Sequence, residues 1–83
     1  MPAVRVLYFA AVRDLVGTAE EQLELPENVA SVGALASHLQ TVHPELRGRL
    51  DGVRIAVNEE FAGNADPVAA GDVIALIPPV AGG

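Results

Sequence analysis

The chain contains no cysteine, no tryptophan and no lysine, because its five strongly basic residues are all arginine. Without cysteine it can form no disulfide framework, no thiolate metal cluster and no catalytic thiol. Without lysine it offers no P-loop lysine, no Schiff-base amine and no other side-chain amine nucleophile. The sequence also lacks the roughly 20 consecutive apolar residues of a membrane-spanning helix, and no secretory signal is visible. We therefore expect a cytoplasmic protein that does not contact a membrane.

Positive charge is scarce as well. Five arginines face eleven acidic residues, which gives a net charge of −6. Nucleic-acid binding rests largely on cationic contacts to phosphate, so we expect no nucleic-acid partner. The 83 residues, 51% of them hydrophobic, suffice for one core and not for two. The composition thus predicts a single small acidic domain with few side chains suited to catalysis.

The spacing of apolar residues predicts strands interrupted by two helices. Strand patterns occupy residues 4–9, 21–25, 53–57 and 73–77, and a turn at residues 58–60 is expected to lead into a further short strand around Phe61. A short helix is expected at residues 10–16, closed by Gly17, and a longer one at residues 32–42, capped by Ser31. This order predicts an α+β domain in which the long helix packs on one face of a mixed sheet.

Side chains that could carry chemistry do not form a convincing site. His38 and His43 lie five residues apart on the long helix, point in different directions and make a poor metal pair, so we expect no metal site. The glutamates at residues 20–21 and 59–60 are adjacent pairs, and neighbours in extended chain point to opposite faces. We interpret them as solvated charges and not as an acid/base pair.

The end of the sequence has a different character. Pro78 and Pro79 stiffen the exit from the last predicted strand, and residues 78–83 could then extend about 20 Å. Gly82 and Gly83 lack a Cβ atom and can enter a channel too narrow for other residues. A terminal Gly-Gly alone would more often indicate a frayed end. Together these features predict a folded body at residues 1–77 and a flexible, projecting tail at residues 78–83 that delivers its α-carboxylate to another protein.

Several stretches in the right order are similar to one known family. They are residues 6–10, 12–17, 56–58, 71–73 and 78–83, of which the Phe-Ala to Leu-Val-Gly segment and the final Pro-Pro-Val-x-Gly-Gly are the most specific. On these residues the chain resembles the small subunits of molybdopterin synthase, which are ubiquitin-like sulfur carriers. The resemblance implies the β-grasp fold, with a mixed sheet of four to five strands packed on one main helix.

The resemblance also implies a mechanism at the last residue. An adenylating enzyme related to ubiquitin activators uses ATP to form an acyl-adenylate on Gly83, and sulfur from a desulfurase or rhodanese-type donor then leaves a thiocarboxylate there. The tail residues Pro78, Pro79, Val80, Ala81 and Gly82 enter a pocket of the large subunit, where sulfur passes to cyclic pyranopterin monophosphate and builds the molybdopterin dithiolene. The chain itself would be a non-catalytic carrier without a bound cofactor, in a heterotetramer built on a large-subunit dimer.

Phe9, Phe61 and Ile77 match positions that contact the large subunit in this family, although each could instead be a core residue. Other functions also fit the sequence. One is a ubiquitin-like sulfur carrier of the thiazole or tungsten-cofactor pathway, but thiazole carriers tend to be shorter and lack the segment from residue 9 to residue 17. Another is a protein modifier or a non-covalent ubiquitin-like interaction module.

Overall fold

The computed structural model describes residues 2–79. Five strands form one sheet, and two helices lie in the connections between the first and second strands and between the second and third strands. The elements in chain order are β1 (Ala3–Tyr8), α1 (Ala10–Val16), β2 (Glu20–Glu24), α2 (Val32–Val42), a 3₁₀ turn (Pro44–Leu46), β3 (Arg54–Val57), β4 (Glu60–Ala62) and β5 (Val73–Ile77). Every predicted element is present, and the predicted strand bounds differ from these by about one residue. No helix in the described part of the chain has the length and apolar character needed to cross a membrane.

The first and the last strand in the sequence, β1 and β5, are neighbours in the interior of the sheet. The strand order is β2-β1-β5-β3-β4. β1 and β5 are parallel, with Val6 opposite Ile74, and all other neighbours are antiparallel. The sheet is therefore mixed, as predicted, and its carboxyl-terminal strand occupies the centre.

The core lies between α2 and one face of this sheet. Alternation along β1 and β5 directs every second side chain toward the helix, and α2 contributes residues at helical spacing. The fully buried side chains are Val4, Val6, Tyr8, Val12, Val32, Leu35, Leu39, Leu46, Ile74 and Leu76. This confirms the predicted two-layer α+β packing. The opposite face of the sheet carries no helix from the described residues.

Both helices end as the sequence predicts. The backbone N–H of Ala34 donates a hydrogen bond to Oγ of Ser31 (3.2 Å), so Ser31 is the N-cap of α2. α1 closes at Gly17, whose φ of 89° is readily adopted only by glycine and whose N–H donates to the Arg13 carbonyl at 2.8 Å.

The β3–β4 hairpin turns through Asn58 and Glu59, whose φ angles are +51° and +71°. Positive φ at both central residues is typical of a type I′ turn, in which asparagine is favoured first and glycine second. Asn58 is tied to the start of β5, since its Oδ1 accepts from the Val73 N–H (3.0 Å) and its Nδ2 donates to Oδ1 of Asp72 (3.1 Å). The turn is therefore held in one position against the centre of the sheet.

The chain stays next to the folded body as it leaves β5. Pro78 is half-buried, and a Cβ atom placed on Gly52 would lie 3.5 Å from Cγ of Pro79. The predicted tail therefore begins alongside the turn at residues 51–52. Its remaining residues, Val80, Ala81, Gly82 and Gly83, lie outside the described residues, so their predicted projection stays a prediction.

Candidate docking face

Apolar side chains from four strands meet on the sheet face that α2 does not cover. The strand register places Leu7 and Ala56 on either side of Ala75, and Phe61 beside Ala56. We name this surface the open-face patch; its residues are Leu7, Phe9, Ala56, Phe61, Val73, Ala75 and Ile77. Together with Glu59 at the rim, they line a shallow depression of about 280 Å³.

The large side chains of the patch are unusually exposed. Phe61 is 58% exposed and Phe9 45%, whereas Ile77 is half-buried. Large apolar groups gathered on the surface of a small domain commonly mark an interaction site. The structure thus brings Phe9, Phe61 and Ile77 together on one face and places none of them in the main core. Their contact with a partner stays a prediction.

The shape of the patch follows from its small central residues. Ala56 and Ala75 are adjacent in the sheet and form a low floor, and the two phenylalanines and Ile77 rise around it. Such a depression suits a protruding apolar side chain of another protein. Docking into it would remove apolar surface from water at about 25 cal/mol per Å².

Charged groups border the patch. The guanidinium carbon of Arg54 lies 3.9 Å from the centroid of the Phe61 ring, a cation–π contact of about 0.5–1 kcal/mol at an exposed site. Farther along the same face, Nε of Arg5 lies 2.8 Å from Oε2 of Glu20. Arg54 therefore restrains the orientation of the most exposed patch residue.

The predicted tail begins directly after a residue of the open-face patch. Ile77 is the last residue of β5, and Pro78 and Pro79 follow it directly. A protein seated on the patch would therefore lie next to the point where the tail leaves the body. The reactive position predicted at Gly83 lies outside the described residues.

Sequence reasoning missed a polar cluster on the covered face, at the edge of the core. The Tyr8 hydroxyl donates to Oε2 of Glu21 (2.9 Å), and Nε2 of His43 lies 2.6 Å from the same oxygen. Nδ1 of His43 lies 3.8 Å from Oε2 of Glu45. Burial raises the pKa of the Tyr8 hydroxyl above its ordinary value, and the hydrogen bond to Glu21 raises it further.

The interpretation of Glu21 as a solvated charge was therefore wrong, since Glu21 is half-buried and paired with Tyr8 and His43. Glu20 is also paired, with Arg5. His43 lies at the C-terminal end of α2, where it is the C-cap. The available signal was Tyr8 at a buried position of an alternating strand, since a buried tyrosine hydroxyl normally needs a hydrogen-bond partner. Among residues 2–79, no cluster of three or more His, Asp or Glu side chains could hold a metal ion.

The mixed sheet around one main helix, with its carboxyl-terminal strand in the centre, defines a ubiquitin-like β-grasp protein. The crystal structure of SAMP1 from Haloferax volcanii has the same fold, with a TM-score of 0.85, 29% identity and coverage of 98% of this chain and 99% of that one. A complex of subunits 1 and 2 of molybdopterin-converting factor from Helicobacter pylori contains a chain that matches with a TM-score of 0.69 and 27% identity, over 98% of this chain and 99% of that one.

Sequence comparison gives a narrower assignment. The profile of the ThiS family matches residues 6–83. The molybdopterin synthase sulfur carrier subunit of Mycobacterium tuberculosis is 42% identical over the full length of both chains. This chain therefore belongs to the ThiS family, in the group of molybdopterin synthase small subunits that its sequence resembles.

Proposed function

We propose that this chain is the sulfur carrier subunit of a molybdopterin synthase. The observation that carries the proposal is the continuity of the open-face patch with the end of β5. A large subunit seated on the patch would receive the tail at the point where it leaves the body. The full-length similarity to the sulfur carrier subunit of Mycobacterium tuberculosis supports the same function.

The proposed chemistry takes place at the carboxylate of Gly83. The carboxylate attacks the α-phosphorus of ATP on an adenylating partner, which releases pyrophosphate and converts a poor electrophile into a mixed anhydride. The terminal persulfide sulfur of a desulfurase or rhodanese-type donor then attacks this anhydride and displaces AMP, which gives an acyl disulfide. A second thiol, on the donor or in solution, cleaves the S–S bond and forms a disulfide with the donor, which leaves a thiocarboxylate on Gly83. This soft, anionic nucleophile passes sulfur to cyclic pyranopterin monophosphate, and two such transfers build the dithiolene of molybdopterin.

In this proposal the chain is a carrier and not the enzyme. Its body binds, its tail positions the reacting atom, and the catalytic pocket belongs to the large subunit. The carrier holds no cofactor of its own, and ATP serves the adenylating partner. We further propose a cytoplasmic heterotetramer, with one carrier at each end of a large-subunit dimer. The complex of the two subunits of the Helicobacter pylori factor supports the large-subunit partner.

The test of the carrier chemistry is the mass of the intact protein. Incubation with a cognate adenylating enzyme, ATP and a sulfur donor is expected to add about 16 Da, as sulfur replaces one carboxylate oxygen. Omission of ATP and deletion of Gly83 are the controls, and each is expected to abolish the shift. An unchanged mass in the complete reaction would contradict the proposal.

The docking role of the patch has its own test. Phe61→Asp is expected to leave the fold intact, because Phe61 is 58% exposed, and to weaken binding of the large subunit by roughly tenfold or more. Val42→Asp is the matched control, since Val42 is also exposed, at 40%, but lies at the end of α2. Calorimetric titration gives the affinities and circular dichroism the fold. Equal binding by both variants would exclude the patch, and unfolding of Phe61→Asp would place Phe61 in the core.

A second candidate function is covalent modification of other proteins. It is favoured by the similarity to SAMP1 of Haloferax volcanii, a small archaeal modifier protein. Activation at Gly83 would be the same, but the activated carbonyl would end in an amide bond with a lysine of a target. Incubation with adenylating enzyme, ATP and a lysine-bearing extract separates the two functions. Conjugates of higher mass would favour the modifier, and thiocarboxylate consumed only with the large subunit and the pterin precursor would favour the carrier.

The thiazole and tungsten-cofactor pathways are compared by the molecule that accepts sulfur from the thiocarboxylate. Pterin chemistry precedes the choice between molybdenum and tungsten, so both cofactors use the same transfer. A thiazole carrier would pass its sulfur to a different acceptor and would not require the large subunit. The identity of the acceptor that consumes the thiocarboxylate therefore distinguishes the thiazole pathway.

A further inference from the structure

Glu59 occupies a backbone conformation that suits glycine. It is the second residue of the β3–β4 turn, with φ at +71°, and side chains other than asparagine or aspartate rarely adopt such angles. Asn58 at the first position is among the residues that type I′ turns favour. A glycine in place of Glu59 would remove the steric conflict between Cβ and the backbone. The glutamate is therefore held in the turn at a cost in stability.

The location of Glu59 indicates what the side chain does. It lines the depression of the open-face patch beside Phe61, and it is exposed. Among residues 2–79, its carboxylate has no ion-pair partner within 4 Å, whereas Glu20 and Glu21 on β2 are both paired. Residues in strained backbone conformations cluster at functional sites. Glu59 thus places, at the rim of the patch, a carboxylate that has no ion-pair partner among residues 2–79.

The neighbouring Glu60 provides a comparison within the same turn. Its Cα lies opposite Val57, whose side chain packs against the core, so Glu60 belongs to the covered side of the sheet. It does not line the patch depression. Two adjacent glutamates therefore place the same charge on opposite faces, and only one of them borders the patch.

We infer that Glu59 is a specificity-determining contact of the open-face patch, whose carboxylate pairs with a lysine or arginine side chain of the large subunit. The inference rests on the proposed function for the identity of that partner. Charged groups at the rim of an apolar interface select the partner and fix the register of docking. The strained turn keeps the carboxylate at a constant place next to Phe61, because Asn58 anchors the turn to β5.

Three variants separate charge, strain and position. Glu59→Gln removes the charge and keeps the strain, so the melting temperature is expected to change little while affinity for the large subunit falls about fivefold. Glu59→Gly removes both, so affinity is expected to fall similarly while the melting temperature rises by about 4 °C. Glu60→Gln removes the same charge from the covered face and is expected to bind like the wild type.

Titration calorimetry with purified large subunit at low and high salt gives the affinities, and differential scanning calorimetry gives the melting temperatures. The wild type is expected to lose more affinity in high salt than Glu59→Gln does. Wild-type affinity in Glu59→Gln would overturn the inference, as would equal losses in Glu59→Gln and Glu60→Gln, which would reflect net charge alone. A melting temperature of Glu59→Gly at or below that of the wild type would contradict the assigned strain. If the wild type itself does not bind the large subunit, the proposed function fails and not only this contact.

Discussion

Tyr8 reaches from the core into a polar cluster at its edge, where its hydroxyl donates to Glu21. Tyr8→Phe removes this hydrogen bond without creating a large cavity, and we expect it to lower the free energy of unfolding by about 1 kcal/mol at neutral pH. Urea unfolding measures the change. Glu21 keeps His43 as a partner at 2.6 Å. A loss much larger than this would show that the three side chains act as one cooperative unit.

The same hydroxyl predicts how stability depends on alkaline pH. Burial and the hydrogen bond to Glu21 raise the pKa of Tyr8 above its ordinary value. The unfolded chain therefore loses this proton at lower pH than the folded chain does. The contribution of Tyr8 to stability is thus complete below pH about 10 and is lost as the pH rises above it.

The composition makes this pH dependence unusually simple to measure. Tyr8 is the only tyrosine, and the chain contains neither lysine nor cysteine, so no other side chain titrates near pH 10. Urea unfolding from pH 8 to pH 11 is expected to show a decline in the wild type that is absent in Tyr8→Phe. An equal decline in both proteins would contradict the assignment to Tyr8.

At the scale of the element, the N-terminus of α2 depends on a single side chain. Ser31→Ala removes the acceptor for the Ala34 N–H and is expected to lower the free energy of unfolding by about 1 kcal/mol. Ser37→Ala is the control, because Ser37 is an exposed residue within α2 and alanine has the higher helix propensity. Thermal unfolding of both variants tests the difference, and equal stabilities would show that the cap contributes nothing measurable.

The elements could be predicted because their signals are local. Alternation in β1, helical spacing in α2 and glycine after α1 each depend on residues close in sequence. The strand order has no such signal, because parallel pairing of β1 with β5 joins opposite ends of the chain. The polar cluster could not be foreseen for the same reason, since Tyr8, Glu21 and His43 meet only when three elements pack.

The candidate site was predictable only in part. Residues 73–77 form a continuous apolar run, so periodicity alone cannot decide which of their side chains face the helix. Phe9, Phe61 and Ile77 were anticipated from the family resemblance, and the register of the sheet explains why they share a face. The strain at Glu59 was not foreseen. The position of a positive φ angle depends on the length of the hairpin loop, and the turn was expected to include Glu60, which instead begins β4.

For the whole molecule, stability and sulfur transfer are expected to reside in separate parts of the chain. Among residues 2–79, every buried apolar side chain of the core lies between Val4 and Leu76. Deletion of Gly82 and Gly83 is therefore expected to leave the melting temperature nearly unchanged and to abolish sulfur transfer. Thermal unfolding and the intact-mass assay measure the two effects, and a large fall in melting temperature would show that the tail packs on the body.

Leu39→Ala is expected to have the opposite effect to the tail deletion, because it lowers stability and leaves the chemistry of the tail unchanged. Leu39 is fully buried in the second half of α2, and its truncation is expected to cost about 2–5 kcal/mol. In a domain of this size, that loss lowers the melting temperature by roughly 10 °C or more. At temperatures where the variant is still folded, acceptance of sulfur is expected to match the wild type. A folded but inactive Leu39→Ala would show that the core and the tail are not independent.

The parallel arrangement of β1 and β5 has a mechanical consequence. A force that pulls the two ends of the folded body apart acts along these neighbouring strands in opposite directions. Their hydrogen bonds run across the direction of pull, so they bear the load together and do not open one after another. β5 is also paired with β3 on its other side, so tension that enters behind Pro79 is divided between two ladders. A partner that grips and then releases the end of this chain would therefore pull against a strand that is hydrogen-bonded to a neighbour on each side.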